Sequence, residues 1–512
     1  MRRTTSTWLA SGALALVAAG CGNFLTGPGV DKTPNAATSL TEAGPLYVSL
    51  QAGAAVIFEG PIPRTTAMYV QQVSGFNRQQ QGFDFYNIGA GDIDPAWIQV
   101  YSAGGASDAR QIQEIARAQN DSLYVGIAKV WEAMIIGEAA SVFGDVPYSE
   151  AFQPNQFPSP KFDPQLQVYD EVQAQLDSAI NTFLAAKPAT GVASTNQGPT
   201  GFLPRGNRRN FELGYQGVSP TVLRNHYLQV AHTLKARFYL HTAEANPAAY
   251  ALALAQTADG IDDPSGDLLI YHDANNGGSN NVWNQFYNTR FDQGPGAAIV
   301  NLMKKRINDG MDTPDRFDFY FIDASSGDPC RPLTGSACEG YRPGANIALP
   351  GGGGTLDFGF VGADAGFKQP IVTFAENELI AAEAAYQTGG IGAAQPHLNA
   401  VRANQNYGEQ TFPSQAVIPA TLQNIMEEKY IDLFLNIESF NDYKRTCFPY
   451  LAPAPANTTS DQTRDAIPGR LPYGLSEVNT NPNTPKISAN GRNANDPNAC
   501  PTLTYTSTPA AY

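Results

Sequence analysis

Residues 120–151, NDSLYVGIAKVWEAMIIGEAASVFGDVPYSEA, are the stretch around which the chain is organised. Their apolar residues recur at three- and four-residue spacing, which indicates one face of a helix. These residues are Leu123, Ile127, Val130, Trp131 and Met134. Asn120 or Asp121 is predicted to cap the start by accepting a hydrogen bond from an exposed backbone N–H. Gly144 and Pro147 are predicted to end the helix, since proline cannot continue it.

Two glycines lie inside this predicted helix, at Gly126 and Gly137. Glycine is unfavourable within a helix unless its missing side chain serves packing. We therefore expect a neighbouring helix to approach closely at both positions. The stretch is predicted to be the central member of a packed helical array.

The composition places the chain among acidic, folded proteins. Charged residues make up 15% of its 512 residues, and glycine (48) and proline (37) are plentiful, which favours packed helices interrupted by ordered loops. Removal of residues 1–20 would leave 30 basic and 47 acidic side chains, a formal net charge of −17. Such a chain repels phosphate backbones, so a nucleic-acid partner is not expected.

The N-terminus has the pattern of a signal peptide over residues 1–20. Arg2 and Arg3 precede an apolar segment, Trp8 to Val17, which is too short to span a bilayer. Small residues then lead to Cys21, as in substrates of the lipoprotein signal peptidase. Cys21 is the predicted lipidation site, the alternative being an ordinary thiol. Residues 21–43 are predicted to form a tether from that anchor to the folded body.

Four further cysteines suit an oxidising compartment. They permit three pairings. A local bridge between Cys330 and Cys338, which flank a short loop, is the simplest choice, and Cys447 would then pair with Cys500. No Cys-x-x-Cys occurs, which disfavours zinc or thioredoxin-like chemistry.

Helical patterns recur along the rest of the chain, several of them after a polar residue and a proline. Two helices joined by a short turn are predicted from Ser219 to Gly260, about the length of a tetratricopeptide-type unit. A second pair follows from Thr373, which with Glu376 has the capping-box pattern. A longer helix is predicted from Thr421 to Ile437.

Residues 44–512 are therefore predicted to form one helical domain with long loops. The segments 191–217, 262–296 and 312–366 lack a helical pattern, and the tail after Pro449 has no periodicity. Loops of such length are usually either functional or disordered.

Several of these segments, in this order and together with the lipobox, resemble the SusD/RagB family of nutrient-binding outer-membrane lipoproteins. They are GIAKVWEAMIIGEAASVFGDVPYSEA (126–151), PKFDPQLQVYDEVQAQLDSAI (160–180), VAHTLKARFYLHTAEANPAAY (230–250), TFAENELIAAEAAYQTG (373–389) and EEKYIDLFLNIESFNDYKRTCFPYL (427–451). The resemblance implies a mainly α fold with tetratricopeptide-like helix pairs, long irregular loops and a few short strands. It also implies a cell-surface protein that captures glycans or peptides for a SusC-like TonB-dependent transporter. Gly22-Asn23 lacks the acidic export signal of some members, which leaves the leaflet face open.

Enzymatic chemistry has no positive support in the sequence, and neither a cofactor nor a metal is expected. The five histidines (226, 232, 241, 272 and 397) have no zinc-site spacing. Glu427 and Glu428 are adjacent on a helix, so they point about 100° apart and cannot flank one glycosidic bond. We interpret this pair as part of a solvated helix face.

Two loops, 76–87 (FNRQQQGFDFYN) and 275–290 (NNGGSNNVWNQFYNTR), have the composition of a sugar site. In such a site, aromatic faces meet C–H groups and amides or guanidiniums form hydrogen bonds. In the fold that the resemblance implies, these regions border the ligand site. The predicted ligand-binding residues are Trp283, Tyr287, Asn281, Arg290, Tyr86 and Arg78. The alternative is that Trp283 and Tyr86 anchor their loops to the scaffold. On the binding hypothesis, the double substitution Trp283→Ala/Tyr287→Ala weakens binding without lowering the melting temperature.

Two other functions stay open. A structural or adhesion lipoprotein would use the same scaffold to bind a protein partner and would have no affinity for glycans. A secreted hydrolase would need catalytic groups assembled from distant loops.

Overall fold

Helices account for most of the protein, and every strand is short. The computed structural model describes residues 43–186, 214–215, 218–275, 277–331, 333, 338–344, 354–454 and 467–486. The helices are α1 (Gly44–Glu59), α2 (Pro61–Tyr69), α3 (Arg78–Asp84), α4 (Ala90–Tyr101), α5 (Ala106–Ala118), α6 (Ser122–Phe143), α7 (Gln165–Ala185), α8 (Pro220–Leu240), α9 (Ala248–Thr257), α10 (Val282–Arg290), α11 (Ala297–Asn308), α12 (Asp315–Tyr320), α13 (Phe360–Ala363), α14 (Phe374–Gly389), α15 (Ile391–Ala403), α16 (Leu422–Asp432), α17 (Ile437–Thr446) and α18 (Leu475–Thr480). The strands are β1 (Val73–Gly75), β2 (Leu268–Ile270), β3 (Gln293–Pro295), β4 (Phe321–Asp323), β5 (Leu356–Phe358), β6 (Gln369–Val372), β7 (Asn406–Tyr407) and β8 (Gln410–Thr411). The predicted mainly α class is confirmed.

The strands form four separate antiparallel pairs, β1–β3, β2–β6, β4–β5 and β7–β8. Three of them join segments distant in sequence. In β1–β3, for example, Val73 lies opposite Pro295 and Gly75 opposite Gln293. The strands therefore fasten loops to each other.

Helix α6 lies at the centre of the fold, as its sequence predicts. Every residue from Tyr124 to Phe143 is buried. The Asp121 carboxylate caps the helix by accepting from the Tyr124 N–H at 3.3 Å, and the helix ends at Gly144, whose φ is +88°. Since neighbours surround α6 on all sides, it acts as the core around which the other helices pack.

The two glycines of α6 are the points of close helix approach. A Cβ at Gly137 would lie less than 3.0 Å from ring carbons of Phe238 on α8. A Cβ at Gly126 would lie equally close to the ring of Phe183 on α7. The expectation of close neighbours at both glycines is confirmed.

The predicted helix pairs are present as α8–α9 and α14–α15, while α6 packs against α5 and α7. The predicted single helix from 421 to 437 is wrong, because the chain breaks between α16 and α17, where Leu435 has a φ of +60°. The buried Gln72 amide stabilises this break from outside the local sequence. It donates to the carbonyls of Tyr430 (2.8 Å) and Leu433 (3.3 Å), and its oxygen accepts from the Leu435 N–H (2.9 Å) and the Ser439 hydroxyl (3.3 Å).

Regular structure also occurs where the sequence indicates loops. The segment 262–296 contains α10, and 312–366 contains α12 and α13. The described residues from Ala43 onward form one compact unit. The predicted signal peptide, Cys21, almost all of the tether and nearly the whole 191–217 excursion lie outside the described residues. No helix in the described ranges has the length and hydropathy that a bilayer crossing requires.

Cys330 and Cys338 are joined by a disulfide, with their Cα atoms 5.7 Å apart. Cys447 is also disulfide-bonded. Its predicted partner, Cys500, lies outside the described residues.

Buried ion pairs connect the helices. Arg237 on α8 bonds Glu138 on α6 at 2.8 Å and Glu376 on α14 at 2.6 Å. Although Thr373 accepts from the Glu376 N–H as predicted, the Glu376 carboxylate turns to Arg237 and the reciprocal half of the capping box is absent. The interpretation of Glu427 and Glu428 as a solvated face is wrong, since both are buried against arginines.

Candidate functional site

The aromatic residues predicted to stack on a ligand lie in the protein core. Trp283 is 2% exposed, Tyr287 8% and Tyr86 1%. Trp283 and Tyr287 are four residues apart on α10 and share the face that packs inward, where Tyr287 meets Phe358 edge-on at 5.4 Å. Tyr86 accepts a hydrogen bond from the Ala454 N–H at 2.8 Å. These rings present no face to a ligand, so the structure supports the alternative that they anchor their segments.

The polar residues of the prediction divide into buried and exposed groups. Asn281 is buried, caps α10 by accepting from the Asn284 N–H at 3.0 Å, and donates to the Phe367 carbonyl at 3.2 Å. Arg290 is exposed, and the Arg78 side chain is 59% exposed with Nη1 3.6 Å from Asp292. The exposed arginines stay accessible to a ligand, whereas Asn281 serves the local fold.

The two segments selected from the sequence do lie side by side. Strand β1 leads into α3, strand β3 follows α10, and the two strands pair. A hydrogen bond of 2.8 Å from Gln293 to Gln80 adds to this contact. The sequence thus identified adjoining segments, but the aromatic side chains that it assigned to a ligand surface are buried.

A cavity of about 490 Å³ opens beside the same α10 segment, between it and α1. Its size falls within the range of small-molecule sites. Helix α1 contributes one face, which consists of Val48, Gln51, Ala52, Ala55 and Val56. The opposite wall consists of Leu269, Ile270, Tyr271, His272, Gly278, Ser279, Asn280, Val282 and Gln285. Trp131 of α6 and Gly214 complete the described lining.

Sequence reasoning missed the α1 wall, although a signal for it exists. One stripe of α1, including Tyr47 and Leu50, is buried in the core. Val48, Ala52 and Val56 form a second apolar stripe at four-residue spacing that is exposed. A helix at the surface needs only one apolar face, so the second stripe indicates another contact.

The polar groups of the cavity are mainly amides. The exposed Gln285 donates from Nε2 to the Asn280 carbonyl at 2.6 Å, and Gln51 donates to the Tyr47 carbonyl at 3.2 Å. The half-buried Tyr271 ring has the Lys368 ammonium 5.6 Å from its centroid, a cation–π contact that orients the ring. An aromatic ring, an aliphatic wall and carboxamides therefore face one space.

Charge is nearly absent from this lining. Among the described lining residues there is no Asp, Glu, Lys or Arg. His272 is held by the buried Glu59, whose Oε1 lies 2.7 Å from Nε2. Nearby, burial lowers the pKa of the Arg64 guanidinium to about 10, although Glu59 opposes the shift. The lining is suited to bind an uncharged ligand, and it offers no pair of carboxylates for glycoside hydrolysis.

No gathering of three or more His, Cys, Asp or Glu side chains suited to a metal ion occurs in the part of the chain that the structure describes. No cofactor-binding motif was found in the sequence either.

Comparison with known structures shows the same fold at low sequence identity. A chitin-binding SusD homolog from Flavobacterium johnsoniae matches with a TM-score of 0.66 and 18% identity, over 90% of this chain and 99% of its own. A chitin-binding protein matches at 0.65 and 19%, over 86% and 95%. A SusD/RagB family protein from Bacteroides thetaiotaomicron matches at 0.60 and 17%, over 86% and 94%.

No curated protein matches the chain. A family model does, and it covers residues 36–195 and 225–474. That family is SusD-like_2, described as "Starch-binding associating with outer membrane". Because the match covers most of the chain, the protein belongs to this SusD-like family.

Proposed function

We propose that the protein is a lipid-anchored, cell-surface binding protein without enzymatic activity that captures an uncharged glycan for a SusC-like TonB-dependent transporter. The observation that carries the proposal is the uncharged cavity between α1 and the 268–285 segment. The family description names starch binding and the outer membrane, and two similar structures are chitin-binding. Glycan is therefore favoured over peptide.

The lining matches the two kinds of surface that a neutral sugar presents. The ring face of a sugar carries polarised C–H groups, which pack on Tyr271 and on the Val48–Val56 stripe. Its hydroxyls need donors and acceptors, which carboxamides such as Gln285 supply. Because no charged side chain of the described lining faces the cavity, an acidic sugar would lose hydration without gaining an ion pair.

We expect Tyr271→Ala and Gln285→Ala each to weaken glycan binding at least about tenfold, which corresponds to about 1.4 kcal/mol. Titration calorimetry with maltoheptaose and with chitopentaose measures the effect. Tyr450→Ala is the matched control, since Tyr450 is also a partly exposed tyrosine but does not line the cavity. Wild-type binding that survives both substitutions would place the glycan elsewhere, and failure of wild type to bind either sugar would contradict the proposed ligand class.

The transporter partnership and the anchor rest on the family resemblance and on the lipobox at Cys21. We expect affinity capture of the detergent-solubilised protein from its own membranes to recover a TonB-dependent transporter, identified by mass spectrometry. The Cys21→Ser variant should leave the membrane fraction, because no acyl chain would hold it there. Recovery of wild type alone, or with fibre components, would favour the structural lipoprotein instead.

A further inference from the structure

We infer that Glu59 and His272 are positioning residues. They hold residues 277–285, the rim of the cavity, in the conformation that binds the ligand. The inference rests on the proposed function, because the cavity that they shape is the proposed glycan site. Neither residue is needed to touch the sugar through its charged group. Their role is to fix where Ser279, Asn280 and Gln285 lie.

The contacts form a chain from α1 to the rim. Glu59 is the last residue of α1 and is fully buried. Its Oε1 lies 2.7 Å from Nε2 of His272, which directly follows the aromatic wall residue Tyr271. The other imidazole nitrogen, Nδ1, lies 3.1 Å from the Ser279 carbonyl. A single imidazole thus connects the Glu59 carboxylate to the Ser279 carbonyl.

The second oxygen of the same carboxylate fixes the start of α10. Glu59 Oε2 accepts from the Val282 N–H, the first residue of α10, at 3.1 Å. The N-terminus of a helix favours negative charge, because its first N–H groups lack partners within the helix. Glu59 therefore stabilises the point at which the rim becomes α10, directly beside Asn280.

A further contact keeps α10 against the same corner. The Arg64 guanidinium lies 4.2 Å above the Phe286 ring, and its Nη1 donates to the Glu59 carbonyl at 3.2 Å. Tyr287, which follows Phe286, is buried in the core, whereas Gln285, which precedes Phe286, lines the cavity. The corner therefore sets the direction in which Gln285 is presented.

Another buried histidine–glutamate pair provides the comparison. His241 Nε2 lies 2.7 Å from Glu438, the same distance as in the His272–Glu59 pair, and both histidines are buried. His241 joins α8 to α17 and does not line the cavity. Substitution of either histidine removes one buried pair, but only that of His272 affects the rim.

The test uses the full-length protein and the double variant Glu59→Leu/His272→Leu, which removes both members of the buried pair together. Amide hydrogen exchange without ligand is measured first. We expect residues 277–282 to exchange at least tenfold faster than in wild type, with exchange in α6 unchanged. In Glu59→Gln the amide can accept from Val282 and donate to a neutral imidazole, so exchange should return to within about twofold of wild type. Unchanged exchange at 277–282, or an equal rise in α6, would overturn the inference.

Affinity for maltoheptaose and chitopentaose is measured next, well below each melting temperature. We expect the double variant to bind at least tenfold more weakly, while the matched control His241→Leu keeps wild-type affinity despite a lower melting temperature. If the double variant kept wild-type affinity, or if it and His241→Leu lost affinity equally, the role of Glu59 and His272 would be merely structural. If wild type binds neither sugar, the proposed function fails, yet the exchange experiment still decides whether the pair holds the rim. If the double variant does not fold, His272→Gln is measured in the same two ways.

Discussion

Glu428→Gln is expected to cost about 3–5 kcal/mol of unfolding free energy, because the change leaves buried guanidinium groups without their shared partner. The Glu428 carboxylate is fully buried and bonds Arg306, Arg402 and, at 3.0 Å, Arg316. These arginines come from α11, α15 and α12, so a single side chain of α16 joins four helices. Urea unfolding followed by circular dichroism measures the loss.

The pH dependence of stability provides a second readout of the same group. Burial raises the pKa of the Glu428 carboxyl, but the three guanidiniums outweigh burial and hold the pKa well below its ordinary 4.5. A carboxyl with a depressed folded pKa contributes its stability above the unfolded value and loses it as the pH falls. The gap between wild type and Glu428→Gln should therefore narrow as the pH falls below 4.5.

The control for Glu428 is Asp309→Asn, which removes an exposed i,i+4 pair with Lys305. Such pairs contribute less than about 0.5 kcal/mol, because water screens both charges. A comparable loss in the two variants would contradict the assignment of Glu428 as a hub of the fold.

Gly137→Ala is expected to destabilise the protein by about 1–3 kcal/mol, the range of overpacked cores. In an exposed helix the same change stabilises, since alanine has the higher helix propensity. Here the new methyl group would overlap the Phe238 ring, and because that ring is buried, the ring or a helix must shift within the packed core. Thermal unfolding of the variant measures the loss.

Two further variants separate the effect of packing against Phe238 from the effect of helix propensity. Gly392→Ala, in α15, adds its methyl group to open space and is expected to stabilise by up to about 1 kcal/mol. Phe238→Leu in the Gly137→Ala background should recover part of the loss, since neighbouring substitutions are not additive. If the effects of Gly137→Ala and Phe238→Leu on stability were simply additive, the Phe238 ring would not be the reason that position 137 needs glycine.

Local signals predicted the parts of the fold that local chemistry determines. The cap at Asp121, the end at Gly144 and the close approach at Gly137 all follow from residues within α6 or directly next to it. Burial of Glu428 could not be predicted in this way, because its arginines come from three other helices. The break before α17 depends on Gln72, which lies more than 350 residues earlier in the chain.

Dependence on residues distant in sequence also explains why the residues of the candidate site were predicted only in part. Composition alone identified 275–290 as a segment rich in aromatics and amides, and this segment does border the cavity. Composition does not tell which face of α10 turns inward, and that face carries Trp283 and Tyr287. The facing wall belongs to α1, whose contribution depends on how two distant segments meet.

The bonding of Gln72 also has a consequence for the order in which the protein can be completed. A chain that emerges with its N-terminus first exposes Gln72 long before residues 430–439 exist to receive its amide. An unpaired amide at a buried position is unfavourable, so the junction of α2 and β1 cannot close until most of the sequence has appeared. The final hydrogen bonds of this junction therefore form only after residues 430–439 have been synthesised.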